Sequence, residues 1–214
     1  MGDTGDLAIW ESRFADMQDE QRALRAAGMW KSGRRTLLNA LGIEHSETRL
    51  CDALKWALTP DGWHGAGVRP LRQFLLHIGL PSEELHNERL LEAQIEREEV
   101  RNFRQPDETR ADIVIRLPGI PRTVLVEAKV FASEQPRQAE RLANLWASED
   151  QLLLVFLTRT GQLPATSAEG GPTWRPLAWS EVAQVLRSAG AGTASAGYEE
   201  FVETLEIFGG HRHG

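Results

Sequence analysis

Apolar residues repeat with two different periods along this chain, a helical one before residue 80 and a strand-like one between 90 and 130. Leu50, Ala53, Leu54, Ala57 and Leu58 recur at steps of three and four residues, which predicts an amphipathic helix. Ser46 precedes it as an N-cap with Glu47 in the first turn, and Thr59-Pro60-Asp61-Gly62 ends it. Val68, Leu71, Phe74, Leu75 and Ile78 mark a second helix, closed by Gly79-Leu80-Pro81. The period then changes to two, and residues 90–130 read as a three-stranded meander, the first strand at 93–100. A helix follows at 134–147 with Ala139, Leu142, Leu145 and Trp146 inward. Residues 151–157 form a continuous apolar run, the mark of a strand covered on both faces. Residues 160–173, rich in Gly, Pro, Ser and Thr, predict a surface loop. A short strand at 174–179 and helices at 180–189 and 197–208 complete the pattern, with 190–197 as a flexible connector. Three segments result: an N-terminal helical arm at 1–39, a domain at 40–208 and a disordered tail at 209–214. In the arm Ile9, Trp10, Phe14, Met17 and Leu24 are imperfectly periodic; the tail holds His211 and His213.

Charge interrupts the two most strand-like segments. The run Arg110-Ala111-Asp112-Ile113-Val114-Ile115 is followed by Thr123-Val124-Leu125-Val126-Glu127-Ala128-Lys129. Lys31, Lys55 and Lys129 are the only lysines in a chain that otherwise uses arginine. Side chains alternate along a strand, so Val124, Val126, Ala128 and Val130 share one face, and Leu125, Glu127 and Lys129 the other. Glu127 and Lys129 then stand roughly 6–7 Å apart on one face. In the preceding strand Ala111, Ile113, Ile115 and Leu117 share a face, with Asp112 opposite. The connection Pro118-Gly119-Ile120-Pro121 is short and made of turn formers. A hairpin closed by Leu117 and Arg122 sets Asp112 across from Glu127. Opposed carboxylates repel across a ladder unless a cation lies between them, and oxygen ligands suit magnesium or manganese.

Asp112, Glu127 and Lys129 resemble the motif of the PD-(D/E)XK nuclease superfamily: an acidic residue on one strand, then acidic-any-Lys on the next. The resemblance covers roughly residues 40–208. It extends to Glu44-His45-Ser46 and His64-Gly65, which frame the first core helix in one bacterial branch, and to Leu177-Ala178-Trp179-Ser180-Glu181-Val182. Arg110-Ala111 stands where the motif's proline would precede Asp112. The resemblance implies an α/β fold, a restriction-endonuclease-like mixed β-sheet core (αβββαβ) flanked by helices. It implies a Mg2+- or Mn2+-dependent nuclease that cuts phosphodiester bonds, with DNA as the nucleic-acid substrate, as an effector of a defence or repair system. Asp112 and Glu127 become metal ligands with the carbonyl of Ala128, Lys129 assists the attacking water, and Gln138 supports the site. A further carboxylate comes from Glu44, with Glu96 and Glu98 as competitors. The alternative is a non-catalytic nuclease-fold module that binds nucleic acid or a protein.

Composition adds bounds. At 214 residues the chain suits one sizeable domain, and Cys51 is its only cysteine, which excludes an internal disulfide and fits a cytoplasmic setting. No run is long enough to span a bilayer and no export signal opens the chain. A Cys-His hydrolase built on Cys51 and His45 lacks an oxyanion site nearby. The net charge of −7 opposes long-range attraction to a polyanion. Arg97, Arg101, Arg104, Arg110, Arg137 and Arg141 are placed to line a groove that supplies local positive charge. The arm at 1–39 offers a surface for a protein partner or for a homodimer.

Overall fold

A computed structural model describes residues 4–30, 35–105 and 108–209. It divides into two compact units, residues 1–35 and 36–214. The first unit is the helix α1 (Thr4–Ala26), after which the Met29 and Trp30 amides both turn back to the Leu24 carbonyl. His211 and His213 lie outside the described residues. Among the described residues no helix is long and apolar enough to cross a membrane.

The second unit runs α2 (Leu37–Ala40), α3 (Glu47–Leu58), α4 (Arg69–His77), α5 (Asn87–Leu90), β1 (Gln94–Arg101), β2 (Thr109–Leu117) and β3 (Arg122–Ala128). It continues through α6 (Gln138–Leu145), β4 (Leu153–Thr158), β5 (Trp174–Ala178), α7 (Trp179–Gly190) and α8 (Ala196–Glu206). The five strands form one sheet in sequence order. β1, β2 and β3 are an antiparallel meander, while β4 and β5 join parallel to β3, giving the mixed sheet of the expected fold class.

Each face of the sheet has its own core. Ile113, Ile115, Val124, Val126, Val155 and Leu157 pack with Leu50 and Leu54 of α3, Leu71 and Phe74 of α4, and α7 and α8 behind them. Val114, Leu125, Leu154 and Phe156 pack on the other side with Ala139, Leu142, Ala143 and Trp146, most of them from α6. Alternate residues of β4 therefore enter both cores, the physical reason for its unbroken apolar run. Burying Leu50, Leu54 and Leu58 completely contributes about 1.5–3 kcal/mol each, which fixes α3 on the sheet.

Two local departures bear on the site. The helix expected at 134–147 begins only at Gln138, because Pro136 disfavours helical backbone at Gln135 and Arg137 adopts a left-handed φ of 55°. And Ala111 packs with Val114 and Leu125 under α6, not with Ile113 on the opposite face. The alternation of β2 breaks at Asp112, and Glu98 in the neighbouring strand takes a positive φ of 55° at the same level. The strand is bent where its carboxylate stands.

Candidate active site

The β2–β3 register runs from Leu117↔Arg122 to Ile113↔Val126. One step further would pair Asp112 with Glu127. At that point the Asp112 side chain replaces the backbone, its Oδ2 accepting the Ala128 amide N–H at 2.8 Å. Glu127 points into the same place and is 1 % exposed. The Lys129 ammonium donates to Glu127 Oε1 at 2.5 Å and to the Ala128 carbonyl at 3.0 Å. Gln138, on the first turn of α6, donates from Nε2 to Glu127 Oε1 at 2.7 Å. Its own Oε1 accepts the Gln135 amide at 3.1 Å, which sets the orientation of the amide group. From the other side Glu47, first residue of α3, accepts the Val130 amide at 3.0 Å and lies 3.5 Å from Lys129 Nζ. These groups line a cleft of about 410 Å³ whose walls include Thr109, Arg110, Ser133 and Arg141.

Burial pushes the Glu127 carboxyl up to about 8, the Asp112 charge adds to the rise, and Lys129 opposes it. Burial also raises Asp112, against the Ala128 amide and the Lys129 charge. For Lys129 burial acts to lower the ammonium, yet the Glu127 carboxylate outweighs it and the net shift is upward. Lys129 lies among Asp112, Glu127 and Glu47, and the upward shift of the Glu127 carboxyl shows that its negative charge is not fully compensated there.

The residues fit a divalent cation. Glu127 Oε2 is buried with no hydrogen-bond partner, so one of its lone pairs awaits a positive group. Asp112, Glu127 and the Ala128 carbonyl supply hard oxygen donors of the kind magnesium and manganese take. Among the described residues no group of three or more His, Cys, Asp or Glu side chains is placed to hold a metal. Such a site would draw two carboxylates and a main-chain carbonyl from the protein.

The family model of the PD-(D/E)XK nuclease superfamily matches residues 36–205, most of the chain. The chain belongs to the PD-(D/E)XK nuclease superfamily. No curated protein and no solved structure matches it. The matched span includes Asp112, Glu127 and Lys129, and nucleases of this superfamily generally use divalent ions.

The structure gathers Asp112, Glu127, Ala128, Lys129 and Gln138, and leaves other expected residues elsewhere. Glu44 is buried in the 3-10 turn Ile43–His45, 3.4 Å from His45, and is not part of the cleft wall. Glu96 and Glu98 of β1 pair with Arg116 and Arg110 of β2 and do not line the cleft. Two further carboxylates line the cleft, Glu108 and Glu47, and Glu47, read from the sequence only as a helix-dipole residue, is the one that reaches Lys129. A signal existed: Glu47, Leu50, Cys51, Leu54 and Leu58 form one i, i+3, i+4 stripe, so Glu47 continues the buried face of α3. Cys51 packs in that core, and burial pushes its thiol well up.

The arginine groove shrinks to two members. Arg110 and Arg141 line the cleft, and Arg141 Nε donates to Thr109 Oγ1 at 3.1 Å. Arg97 instead reaches Asp52, the Thr48 carbonyl and the Asp112 carbonyl. Arg101 lies over Trp146 and pairs with Glu149, Arg104 stands over Phe103, and Arg137 pairs with Glu140. Nearby acids and aromatic rings claim these cations, a competition invisible to a count of arginines. His64 is fully buried, its Nε2 facing the Thr59 carbonyl and its Nδ1 accepting the Ala66 amide, so it holds the α3–α4 loop.

Proposed function

We propose that the chain is a metal-dependent nuclease that hydrolyses phosphodiester bonds, with DNA as its substrate. The observation that carries this reading is the convergence of Asp112, Glu127, Lys129 and Gln138 in one cleft around a buried, unpartnered carboxylate oxygen.

Asp112, Glu127 and the Ala128 carbonyl would hold Mg2+ or Mn2+, which when bound lowers the pKa of water and compensates charge on the reacting oxygens. Lys129 keeps its proton in this surrounding and presents an ammonium at the cleft wall. There it steadies the negative charge that develops on the phosphoryl oxygens and orients the attacking water. Gln138 positions Glu127 by holding one carboxylate oxygen, which leaves the other directed away from it. Glu47 positions Lys129, since its carboxylate is anchored on the Val130 amide and cannot swing away. Arg110 and Arg141 offer the cleft's remaining positive charge to the phosphate backbone.

Membership of a defence or repair system, a cytoplasmic setting and self-association through the arm belong to the same reading. The test incubates the protein with supercoiled plasmid, linear duplex, single-stranded DNA and RNA, in magnesium, manganese or EDTA, beside Lys129→Ala. Cleavage of DNA that requires metal and falls about 10²–10³-fold in the variant supports the reading. Metal-independent cleavage, or a variant as active as the wild type, sinks it.

A further inference from the structure

Beside the cleft lies a second hollow, of about 760 Å³, and the two share Lys129, Ala132 and Ser133 as a common wall. Its volume falls in the range of about 300–1,000 Å³ typical of pockets for small ligands, and a nucleotide is of that size. Phe131, just past β3, and Arg159, just past β4, also line it. β3 and β4 are neighbouring parallel strands, so both residues leave the sheet at the carboxyl ends, where open α/β sheets bind ligands.

The Arg159 guanidinium stands over the Phe131 ring, its Cζ 4.9 Å from the centroid, and His45 lies against the same ring at 5.4 Å between centroids. Even so, Phe131 is 56 % exposed. Arg159 is exposed too, and among the described residues no carboxylate pairs with it, unlike the arginines held by Glu149, Asp52 or Glu140. The one acid of the hollow, Glu134, is already engaged. Its carboxylate accepts the Ala165 amide at 2.7 Å, the Thr166 amide at 3.0 Å and the Thr166 hydroxyl at 2.5 Å. Thr166 Oγ1 in turn accepts the Ala139 amide of α6 at 3.0 Å, so the rim formed by the loop is fixed in place.

We propose that this hollow holds an unpaired nucleotide of the substrate strand, its base stacked on the Phe131–Arg159 shelf. The proposal rests on the cleft being the place where the phosphodiester is held, and it adds the state of the strand. Lys129 and Arg159 give the hollow the sign of charge that a phosphate backbone needs, and an aromatic ring with a guanidinium over it offers a flat, polarisable surface to a base. Continuity with the cleft selects this occupant. Stacked nucleotides advance only about 3.4 Å each along a strand, so a strand with one phosphate at Lys129 brings the adjoining nucleotide to the hollow. A base inside a duplex has its faces covered by its neighbours. Only a base in a single-stranded stretch, at a frayed end or turned out of the helix can stack here.

The test measures binding by fluorescence anisotropy, in EDTA and in magnesium, for a single-stranded oligonucleotide, a blunt duplex of the same sequence and a wholly abasic strand of the same length. Cleavage of the first two is followed in parallel, and circular dichroism checks the fold of each variant. The single strand should bind more tightly than the duplex. Phe131→Ala and Arg159→Gln should each weaken it by about 5–150-fold, while Phe131→Trp keeps it. The abasic strand should bind equally to Phe131→Ala and to the wild type, which a general distortion of the surface would not allow. Unchanged single-strand affinity in Phe131→Ala, an equal loss on the abasic strand, or a wild type that prefers the duplex overturns the stacking site. Metal-dependent cleavage alongside any of these leaves the nuclease reading standing. Binding that depends on Phe131 with no DNA cleaved does the reverse, supporting the stacking site and sinking hydrolysis.

Discussion

Asp112→Asn separates the electrostatics of the cleft from its covalent architecture. The Asn oxygen still accepts the Ala128 amide, so the end of the β2–β3 hairpin keeps its hydrogen bond. What disappears is a negative charge that burial disfavours and that faces Glu127. Like charges opposed across a strand pair destabilise by up to about 1 kcal/mol, so the metal-free variant should be more stable than the wild type by that amount. For a domain of this size that is a rise in Tm of about 2–4 °C. The melt belongs in EDTA above pH 8, the value toward which Glu127 is pushed, so that both carboxylates are charged. Magnesium should then reverse the order. At a hundred times its Kd it adds about 2.7 kcal/mol to the wild type, or roughly 5–10 °C, and little to a variant lacking one ligand. An Asn variant that melts below the wild type in EDTA would mean that Lys129, Arg97 and Arg110 already neutralise Asp112. Equal magnesium shifts in the two proteins would place the ion elsewhere.

Gln138→Leu removes the donor to Glu127 and strands the Gln135 amide; activity or apparent metal affinity should fall about 10–100-fold, read from a magnesium titration of cleavage rate. Glu47→Gln keeps an acceptor for the Val130 amide but takes the charge away from Lys129. Turnover should drop about tenfold with circular dichroism unchanged, and an unaltered rate would confine Glu47 to a structural part. Glu149 is held at about 2, chiefly by its hydrogen bond from Arg116, with Arg101 helping against burial. Its folded pKa lies below the ordinary glutamate value of 4.5, so its stabilisation is complete above that value and is lost as pH falls toward 2. Glu149→Gln should therefore cost about 1–2 kcal/mol in urea melts at neutral pH, and a gap that persists at pH 2 would contradict the cause given.

The parts of this protein legible in one dimension are those built from neighbours in sequence. Strand alternation and the four-residue link 118–121 were enough to set the register from Leu117–Arg122 to Ile113–Val126, because a register of period two has few alternatives once a short turn closes it, whereas the break in alternation at Asp112 was not legible. The apolar run of β4 announced that both its faces are covered, and Ser46 was visible as the cap of α3. Gln138 needed the family resemblance, since nothing about an isolated glutamine directs it at a carboxylate eleven residues away. Tertiary packing decided the remainder. Glu47 reaches Val130 across 83 positions of sequence only because Leu50, Leu54 and Leu58 seat α3 on the sheet. Glu44, three residues earlier, turns to His45 instead. The same holds for the arginines: which ones face the cleft depends on where Glu149, Asp52, Glu140 and the aromatic rings come to lie. Period and turn chemistry act over a few residues and are written in them, whereas the pairing of distant charges waits on how the helices pack.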